Sequence, residues 1–376
     1  MSAIMRLYRG ETRINFIGYR RRWYFASLVL IVICLSSFVL RGFHYGVEFA
    51  GGTQFQLQVQ GTSITTTEVN NAFTASGVAP ASPAQVVGSG ATRQIVVSTA
   101  SITPARQSAL QASVAQRVGL PSSRFSADAV SSSWGHDISV KAIEGLIVFL
   151  IVVTIYISLR FEWRMAVGGM VALLHDLLVA AGIYSLIGFE VTPSTVVGLL
   201  TILGFSLYDT VVVYDKVSEN SKDLTAGSRM TYADAANLAV NQTLMRSINT
   251  SLIALLPVAG LLFVGAGILG VGTIKDLALI LFVGLASGAY SSLFLATPIV
   301  VDLTERQPEY RALTKRVVAK RSSEAAKAGR AGELAGVGAG SAAGGGVALR
   351  KPAARRAGGP APAPRPGARP QRPRRK

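Results

Sequence analysis

Six long apolar runs dominate the pattern of hydrophobic and polar positions along the chain. They cover residues 23–40, 143–159, 165–187, 192–213, 244–264 and 277–301. A helix needs about 20 apolar residues to cross a hydrocarbon core about 30 Å thick. The pattern therefore predicts an α-helical polytopic membrane protein with six transmembrane helices.

The first run also fits a secretory signal peptide, because Arg20, Arg21 and Arg22 precede it. The run ends at residues 38–41, however, and these contain no small-residue cleavage site. We therefore expect an uncleaved anchor.

Lysine and arginine residues predict the orientation of the six helices. They are frequent in the N-terminal segment, in the second–third and fourth–fifth links, and in the C-terminal tail. Short cytoplasmic loops carry such an excess. We therefore expect both termini in the cytosol and residues 41–138 on the outer side.

The segment 41–138, between the first two transmembrane helices, has the pattern of a small α+β domain. Alternation and turn signals predict strands over 51–60, 85–87, 93–99 and 125–130, and helices over 65–76 and 104–118. The order β-α-β-β-α-β suits a ferredoxin-like sandwich. The segment contains no nucleophile, metal or phosphate-binding motif, so we expect an extracytoplasmic binding or coupling module.

Composition changes this picture in two ways. The net charge of +17 is concentrated from Arg306 onward, where 18 Lys and Arg stand against three acidic residues. The charge therefore gives no reason to expect specific nucleic-acid binding by the body. One cysteine and three histidines cannot form an intrachain disulfide or a Cys/His zinc site, and we expect neither a metal nor a cofactor.

Four ionisable residues interrupt the apolar runs. His175 and Asp176 lie eleven to twelve residues after Arg164, so roughly 17–18 Å deep at 1.5 Å per residue. Asp209 and Arg246 lie towards the cytosolic ends of runs four and five. Such groups are expensive in a bilayer and usually face a partner or a water path.

Polar residues accompany two of these charges at helical spacing. Asp209 has Ser206 and Thr210 on its face, and Arg246 has Thr243 and Thr250. Two oppositely inserted helices can bring Asp209 and Arg246 to one depth. A carboxylate that alternates between a cation and water can couple protons to motion.

Three simpler interpretations remain open. Asp209 and Arg246 can form a static ion pair that fixes helix packing, or Asp209 can lie at the cytosolic interface. His175 can be a neutral histidine bonded to a backbone carbonyl.

Five ordered motifs give the chain a recognisable pattern. Gly46-Val47-Glu48-Phe49-Ala50-Gly51-Gly52 resembles a G-I-D-F-x-G-G motif, with Glu48 where Asp is usual. The other motif segments are 156–164 with 172–176, 201–220, 241–247 and 284–292. In order and content they are similar to the SecF proteins of the SecD/SecF family, which is related to the resistance-nodulation-division exporters.

The resemblance implies a function that composition does not show. Members work with SecD in a twelve-span complex of the cytoplasmic membrane, beside the SecYEG channel and the SecA motor. The complex uses the proton motive force to complete the translocation of preproteins. Carried over by motif, the proton path contains Asp209 and Arg246, with Asp176 and His175 second. The chain has no Walker motif, so we do not expect it to be an ATPase.

These inferences divide the chain into five parts. They are a cytosolic segment (1–22), the first transmembrane helix (23–40), the extracytoplasmic domain (41–138), the bundle of helices two to six (139–305) and a basic, largely disordered cytosolic tail (306–376). Anionic lipids are the expected partner of the tail, with ribosomal RNA or the translocon as alternatives.

Two other classes of protein compete with this interpretation. Half of a proton-driven small-molecule or lipid exporter would share the intramembrane charges, although the outer insert is small for a drug-binding cleft. A passive membrane scaffold would tolerate the neutralisation of Asp209.

Overall fold

The computed structural model describes residues 14–82, 84–88, 90, 93–227, 229–268 and 272–340. Within these ranges, six helices are long and apolar enough to cross a membrane. They span Arg20–Leu40, Ser133–Arg160, Trp163–Ile187, Pro193–Ala226, Tyr232–Gly265 and Lys275–Glu305. Each overlaps one of the predicted runs, and several extend beyond it where the helix continues into polar sequence.

The elements follow one another in an order that separates a small sheet from the long helices. The helices are α1 (Arg20–Leu40), α2 (Val47–Ala50), α3 (Thr66–Ala75), α4 (Pro104–Val118), α5 (Ser132–Arg160), α6 (Trp163–Ile187), α7 (Pro193–Ser221), α8 (Tyr232–Ala259), α9 (Gly272–Ser291), α10 (Thr297–Glu305) and α11 (Pro308–Gly340). The strands are β1 (His44–Tyr45), β2 (Gly52–Gln58), β3 (Gln85–Val87), β4 (Gln94–Thr99), β5 (Phe125–Val130) and β6 (Glu190–Val191). Two π-helical segments, Gly260–Ile268 and Ser292–Ala296, continue α8 and join α9 to α10.

The small α+β region contains a four-stranded sheet in the order β3-β4-β2-β5, with every neighbouring pair antiparallel. In the central strand, Phe55 pairs with Val97 on one side and with Ala127 on the other. Phe55 and Val97 are fully buried, as is Phe73 of α3, so the core lies between the sheet and its helices. The predicted strand and helix order is confirmed.

Local sequence signals set the ends of both short helices. Thr65 and Glu68 form a capping box at the start of α3. Pro104 occupies the first turn of α4, and Gly119 ends that helix in the left-handed conformation with φ 72°.

A short parallel pair joins this region to the bundle. β1 pairs with β6, and the Gly46 amide donates to the Val191 carbonyl over 2.9 Å. The pair connects the segment after α1 to the link between α6 and α7. Strands of two residues leave no usable period in the sequence, so the pattern did not predict this pair.

Close contacts between helices hold the bundle together. Gly198 of α7 lies against α9, because an added Cβ would come within 2.6 Å of Ile280. Small residues allow such approaches between membrane helices. On the side of α8, Asn241 accepts from the Ile14 amide (3.0 Å) and donates to the Ile14 carbonyl (2.8 Å), which fixes the chain before α1.

The prediction of a largely disordered tail is wrong for Pro308–Gly340, which form α11. This stretch is rich in Ala, Lys, Arg and Glu, which favour helix. Its first turns are anchored, because Leu313 and Val317 are buried and Arg316 donates to the Thr225 carbonyl over 3.1 Å. The predicted disorder of 341–376 lies outside the described residues.

Candidate functional site

The first intramembrane carboxylate, Asp176, lies at the point where α6, α7 and α9 meet. It is completely buried. One oxygen accepts from Ser206 (2.6 Å) and Ser291 (2.7 Å), and the other accepts from Ser287 (2.7 Å). A buried carboxylate is tolerated when hydrogen bonds replace its water. Asp176 therefore fastens three helices together.

The neighbouring His175 faces the same carboxylate. Its Nδ1 lies 3.2 Å from an Asp176 oxygen, and its ring centroid is 5.9 Å from that of Tyr290. Within the described part of the chain, the buried Nε2 has no hydrogen-bond partner. Nδ1 is therefore the ring nitrogen that faces the carboxyl group of Asp176. The simpler interpretation was a neutral histidine bonded to a backbone carbonyl, but among the described residues neither ring nitrogen makes such a bond.

The second carboxylate, Asp209, has different surroundings. It is 6% exposed and accepts from Ser251 of α8 over 3.2 Å. Asp209 and Ser251 line a cavity of about 20 Å³ together with Ser206, Thr250 and Gly288. A cavity of this size holds about one water molecule. Asp209 thus borders space that a water can occupy, whereas Asp176 is enclosed by side chains.

Arg246 lies beside Asp209 without pairing with it. Its guanidinium donates to the Tyr208 hydroxyl over 3.2 Å, and both side chains are exposed. Among the described residues, Asp209 and Arg246 form no ion pair within 4.0 Å. The packing of α8 on α7 places Arg246 against Tyr208, the residue before Asp209. Among the described residues, Arg246 and Asp209 therefore do not form the static ion pair.

The four residues of the predicted polar face have separate roles. Ser206 donates to Asp176 rather than to Asp209. The hydroxyls of Thr210 and Thr243 donate to backbone carbonyls of their own helices, those of Ser206 and Ala239 (both 2.9 Å). Thr250 lines the small cavity beside Asp209. Helical spacing therefore did not predict the contacts that these hydroxyl groups make.

The glycine-rich motif lies at the junction between the sheet region and the bundle. The Gly46 carbonyl accepts from the amides of Phe49 and Ala50 (both 3.0 Å), which closes the single turn α2. Gly52 has φ +149°, and a Cβ there would overlap the Thr99 carbonyl. Gly51, with φ 70°, also takes a conformation that side chains disfavour. The backbone conformation at Gly51 and the close approach of Gly52 to Thr99 thus explain why glycine occupies both positions.

The polar member of this motif, Glu48, faces a cavity of about 370 Å³. Glu190, from the link before α7, and Asp276 of α9 line the same cavity. Glu190 is buried and accepts from Ser82 over 2.5 Å. Burial, with the nearby Glu48 carboxylate, raises the pKa of Glu190, although the hydrogen bond from Ser82 opposes the shift. Within the described residues, no cluster of three or more His, Cys, Asp or Glu could hold a metal ion.

Sequence reasoning missed the partners of both carboxylates. Ser287 and Ser291 stand one helical turn apart beside Gly284, a pattern that indicates only close packing. Their role becomes visible only when α9 is placed against α6. Tyr208 and Ser251 likewise become recognisable as partners of Arg246 and Asp209 only when α7 is placed against α8.

Comparisons with known proteins identify the family. Residues 111–306 match the family model described as "Protein export membrane protein SecD/SecF, C-terminal". Residues 36–63 match the family model described as "SecD/SecF GG Motif". Protein translocase subunit SecF of Streptomyces coelicolor is 46% identical over 335 residues, covering 89% of this chain and 88% of that protein. The SecF subunit of Mycobacterium tuberculosis is 44% identical over 329 residues, covering 86% and 74%.

Solved structures agree with these relatives. The crystal structure of SecDF, a translocon-associated membrane protein from Thermus thermophilus, is 30% identical with a TM-score of 0.69. The match covers 79% of this chain but 39% of that one, so the chain spans about two fifths of the fused SecDF protein. With its six apolar helices the chain is a multi-pass membrane protein. It belongs to the SecD/SecF family of protein export membrane proteins, as a SecF-type translocase subunit.

Proposed function

We propose that this accessory subunit of Sec translocation works with a separate SecD subunit in the cytoplasmic membrane and uses the proton motive force to complete preprotein export. The fused SecDF relative supports the partnership, since this chain corresponds to one part of it. The SecYEG channel, the SecA motor and the preprotein are the further partners that this role requires.

The observation that carries the proposal is the contrast between the two intramembrane carboxylates. Asp209 borders a water-sized cavity, has one serine partner at 3.2 Å and lies beside a cation that is bound elsewhere. A nearby guanidinium favours a carboxylate, and its withdrawal leaves the carboxyl group free to take a proton. Asp209 is therefore the proton carrier, and Arg246 alternates between Tyr208 and Asp209.

Asp176 and His175 have a supporting role in this mechanism. Three serines on two neighbouring helices hold Asp176, so a change at Asp209 reaches α6 and α9 through Ser206. Ser206 also lines the cavity beside Asp209. The Asp176 cluster thus transmits the protonation of Asp209 to the packing of the bundle.

The energy available is sufficient for a conformational change. A charge that crosses the membrane gains about 2.3 kcal/mol per 100 mV. A gradient of about 180 mV then supplies roughly 4 kcal/mol per proton, which biases a two-state element by about a thousandfold.

The sheet region is the extracytoplasmic element in this proposal. Its strand order β3-β4-β2-β5, with helices after the first and third strands, supports a ferredoxin-like domain. The bias of Lys and Arg towards the opposite ends of the helices supports an outer location, with both termini cytosolic. The domain would act beside the larger outer domain of SecD, while the basic tail contacts anionic lipids.

Pulse-chase export in cells depleted of the protein tests the proposal. Wild type and Glu144→Gln, which removes an exposed carboxylate on α5, are expected to clear uncleaved precursor. Asp209→Asn at equal membrane level is expected to leave precursor uncleared. Equal rescue by Asp209→Asn would instead favour the passive scaffold. Normal precursor processing after depletion would favour a small-molecule or lipid exporter.

A further inference from the structure

The junction between the sheet region and the bundle contains a carboxylate that the proton path does not use. Glu190 of β6 is buried against the loop before β3, and Ser82 of that loop donates to it over 2.5 Å. This hydrogen bond joins the outer domain to the link between α6 and α7. The junction also contains the two-residue pairing of β1 with β6 and a close contact of α2 with the start of α5, where a Cβ at Gly135 would overlap the Phe49 carbonyl. Glu190 thus supplies a buried polar contact between the two regions.

Several charged and titratable groups face Glu190 from the surrounding elements. Glu48 comes from α2 and His44 from β1, while Asp276 and Lys275 come from the start of α9. From α6, the Tyr184 hydroxyl donates to the Glu190 backbone carbonyl over 2.9 Å. Three carboxylates therefore share one polar cavity of about 370 Å³. Ionisation of Glu190 adds a negative charge where two others are near.

We propose that Glu190 and Ser82 form a proton-controlled latch, which holds the outer domain on the bundle when Glu190 is protonated and releases it when Glu190 is ionised. This inference rests on the proposed function, because it places the junction on the proton-rich side of the membrane. Glu190 is a positioning residue in this scheme, and the proton is its ligand.

The sign of the pH dependence follows from the environment of the docked state. Burial, as the largest cause, raises the pKa of Glu190, and the Glu48 charge adds to it against the opposing effects of Ser82 and His44. In the released state Glu190 meets water, so its pKa returns to the ordinary value of an exposed glutamate. Docking is therefore strongest below that ordinary value and weakens as the pH rises through the higher, docked value. With one proton involved, the docked-to-released ratio falls by up to about tenfold per pH unit.

Distance measurements between spin labels test this latch in the complete complex with SecD, reconstituted in lipid nanodiscs. One label at Asn71→Cys marks α3 of the outer domain, and the other at Ile187→Cys marks the end of α6, both at exposed positions. The buried Cys34 is replaced by Ala to leave two reactive sites. We expect the docked distance to be most populated at pH 5 and a second distance to gain population towards pH 8.

Matched variants separate the latch from a general effect of pH. Glu190→Gln keeps the shape and stays neutral, so it is expected to remain docked from pH 5 to pH 8. Ser82→Ala loses the hydrogen bond, so it is expected to be less docked at every pH while it keeps the pH response. Asp128→Asn removes an exposed carboxylate on β5 and is expected to behave as wild type.

A wild-type distance that does not change between pH 5 and pH 8 would overturn the latch, as would a wild-type pH response in Glu190→Gln. The measurement needs neither preprotein nor export. The latch can therefore fail while Asp209→Asn still blocks export, and the two failures are distinguishable.

Discussion

Asp176 and Asp209 are carboxylates in the same helical bundle with opposite surroundings. Asp176 is enclosed by serines from two helices and by its neighbour His175. Asp209 has one longer hydrogen bond and a small cavity beside it. Both are aspartates on long apolar helices, so the difference lies in the neighbours. A fully bonded carboxylate fastens helices, whereas a loosely bonded one beside water can exchange a proton.

The largest expected effect is on stability, at the enclosed carboxylate. Asp176→Ala removes the hydrogen-bond acceptor of three buried hydroxyl groups, those of Ser206, Ser287 and Ser291. Each buried hydroxyl left without an acceptor costs about 1–3 kcal/mol of stability. We expect a free energy of unfolding lower by about 3 kcal/mol or more. The midpoint of thermal unfolding in detergent measures it. Asp176→Asn, which keeps an acceptor oxygen, should lose less, and an unchanged midpoint in Asp176→Ala would refute the fastening role.

The next effect is on export, at the exposed cation beside Asp209. Arg246→Gln removes the charge that alternates between Tyr208 and Asp209, so we expect export to fall about tenfold or more, equivalent to about 1.4 kcal/mol. The unfolding midpoint should stay near that of wild type, because Arg246 is exposed. Pulse-chase clearance of precursor measures the first quantity. Lys222→Gln, an exposed cation beyond α7, is the control, and equal clearance by both variants would remove Arg246 from the mechanism.

A smaller effect on export is expected at Tyr208, whose hydroxyl accepts a hydrogen bond from Arg246. Tyr208→Phe removes a single hydrogen bond of 3.2 Å at an exposed position, worth about 0.5–1.5 kcal/mol. The guanidinium should then turn to Asp209 more often, and export should slow by a few fold. If Tyr208→Phe leaves the export rate unchanged over a range of pH, Tyr208 is not an alternative partner of Arg246.

The smallest effect is expected at the only described hydrogen bond to the Asp209 side chain. Ser251→Ala removes a contact of 3.2 Å that a water in the adjoining cavity can replace. We expect export within about threefold of wild type, since a lost hydrogen bond that water replaces costs at most about 0.5 kcal/mol. A displaced pH profile of export is the more sensitive readout. A loss as large as that of Arg246→Gln would show that Asp209 depends on Ser251 as strictly as Asp176 depends on its serines.

Most of the fold follows from periodicity in the sequence. Apolar runs long enough for a bilayer predict the six long helices, and the signals at Thr65 and Gly119 set helix ends correctly. These features are local, so a single segment contains the information. The helix α11 was missed because its alanines and glycines suggested disorder, whereas Leu313 and Val317 anchor its start.

The candidate site was predictable only in part. Buried charge in an apolar run identifies Asp176 and Asp209 without reference to any other segment. Their different surroundings arise from serines on other helices, 30 residues away for Ser206 and Asp176 and 42 residues away for Ser251 and Asp209, and spacing along one helix cannot reveal these contacts. Glu190 and Ser82 were missed for the same reason, because 108 residues separate them in sequence.

The protonation of Asp209 itself tests the central claim most directly. Infrared difference spectra of the reconstituted complex with SecD, recorded between two pH values, show the C=O stretch of a carboxyl group that gains a proton. In a Glu190→Gln background, which removes the other carboxyl group proposed to take up a proton, we predict a band that disappears in Asp209→Asn and persists in Glu144→Gln. A band that persists unchanged in Asp209→Asn would contradict the account, because Asp209 would then not be the group that takes up the proton.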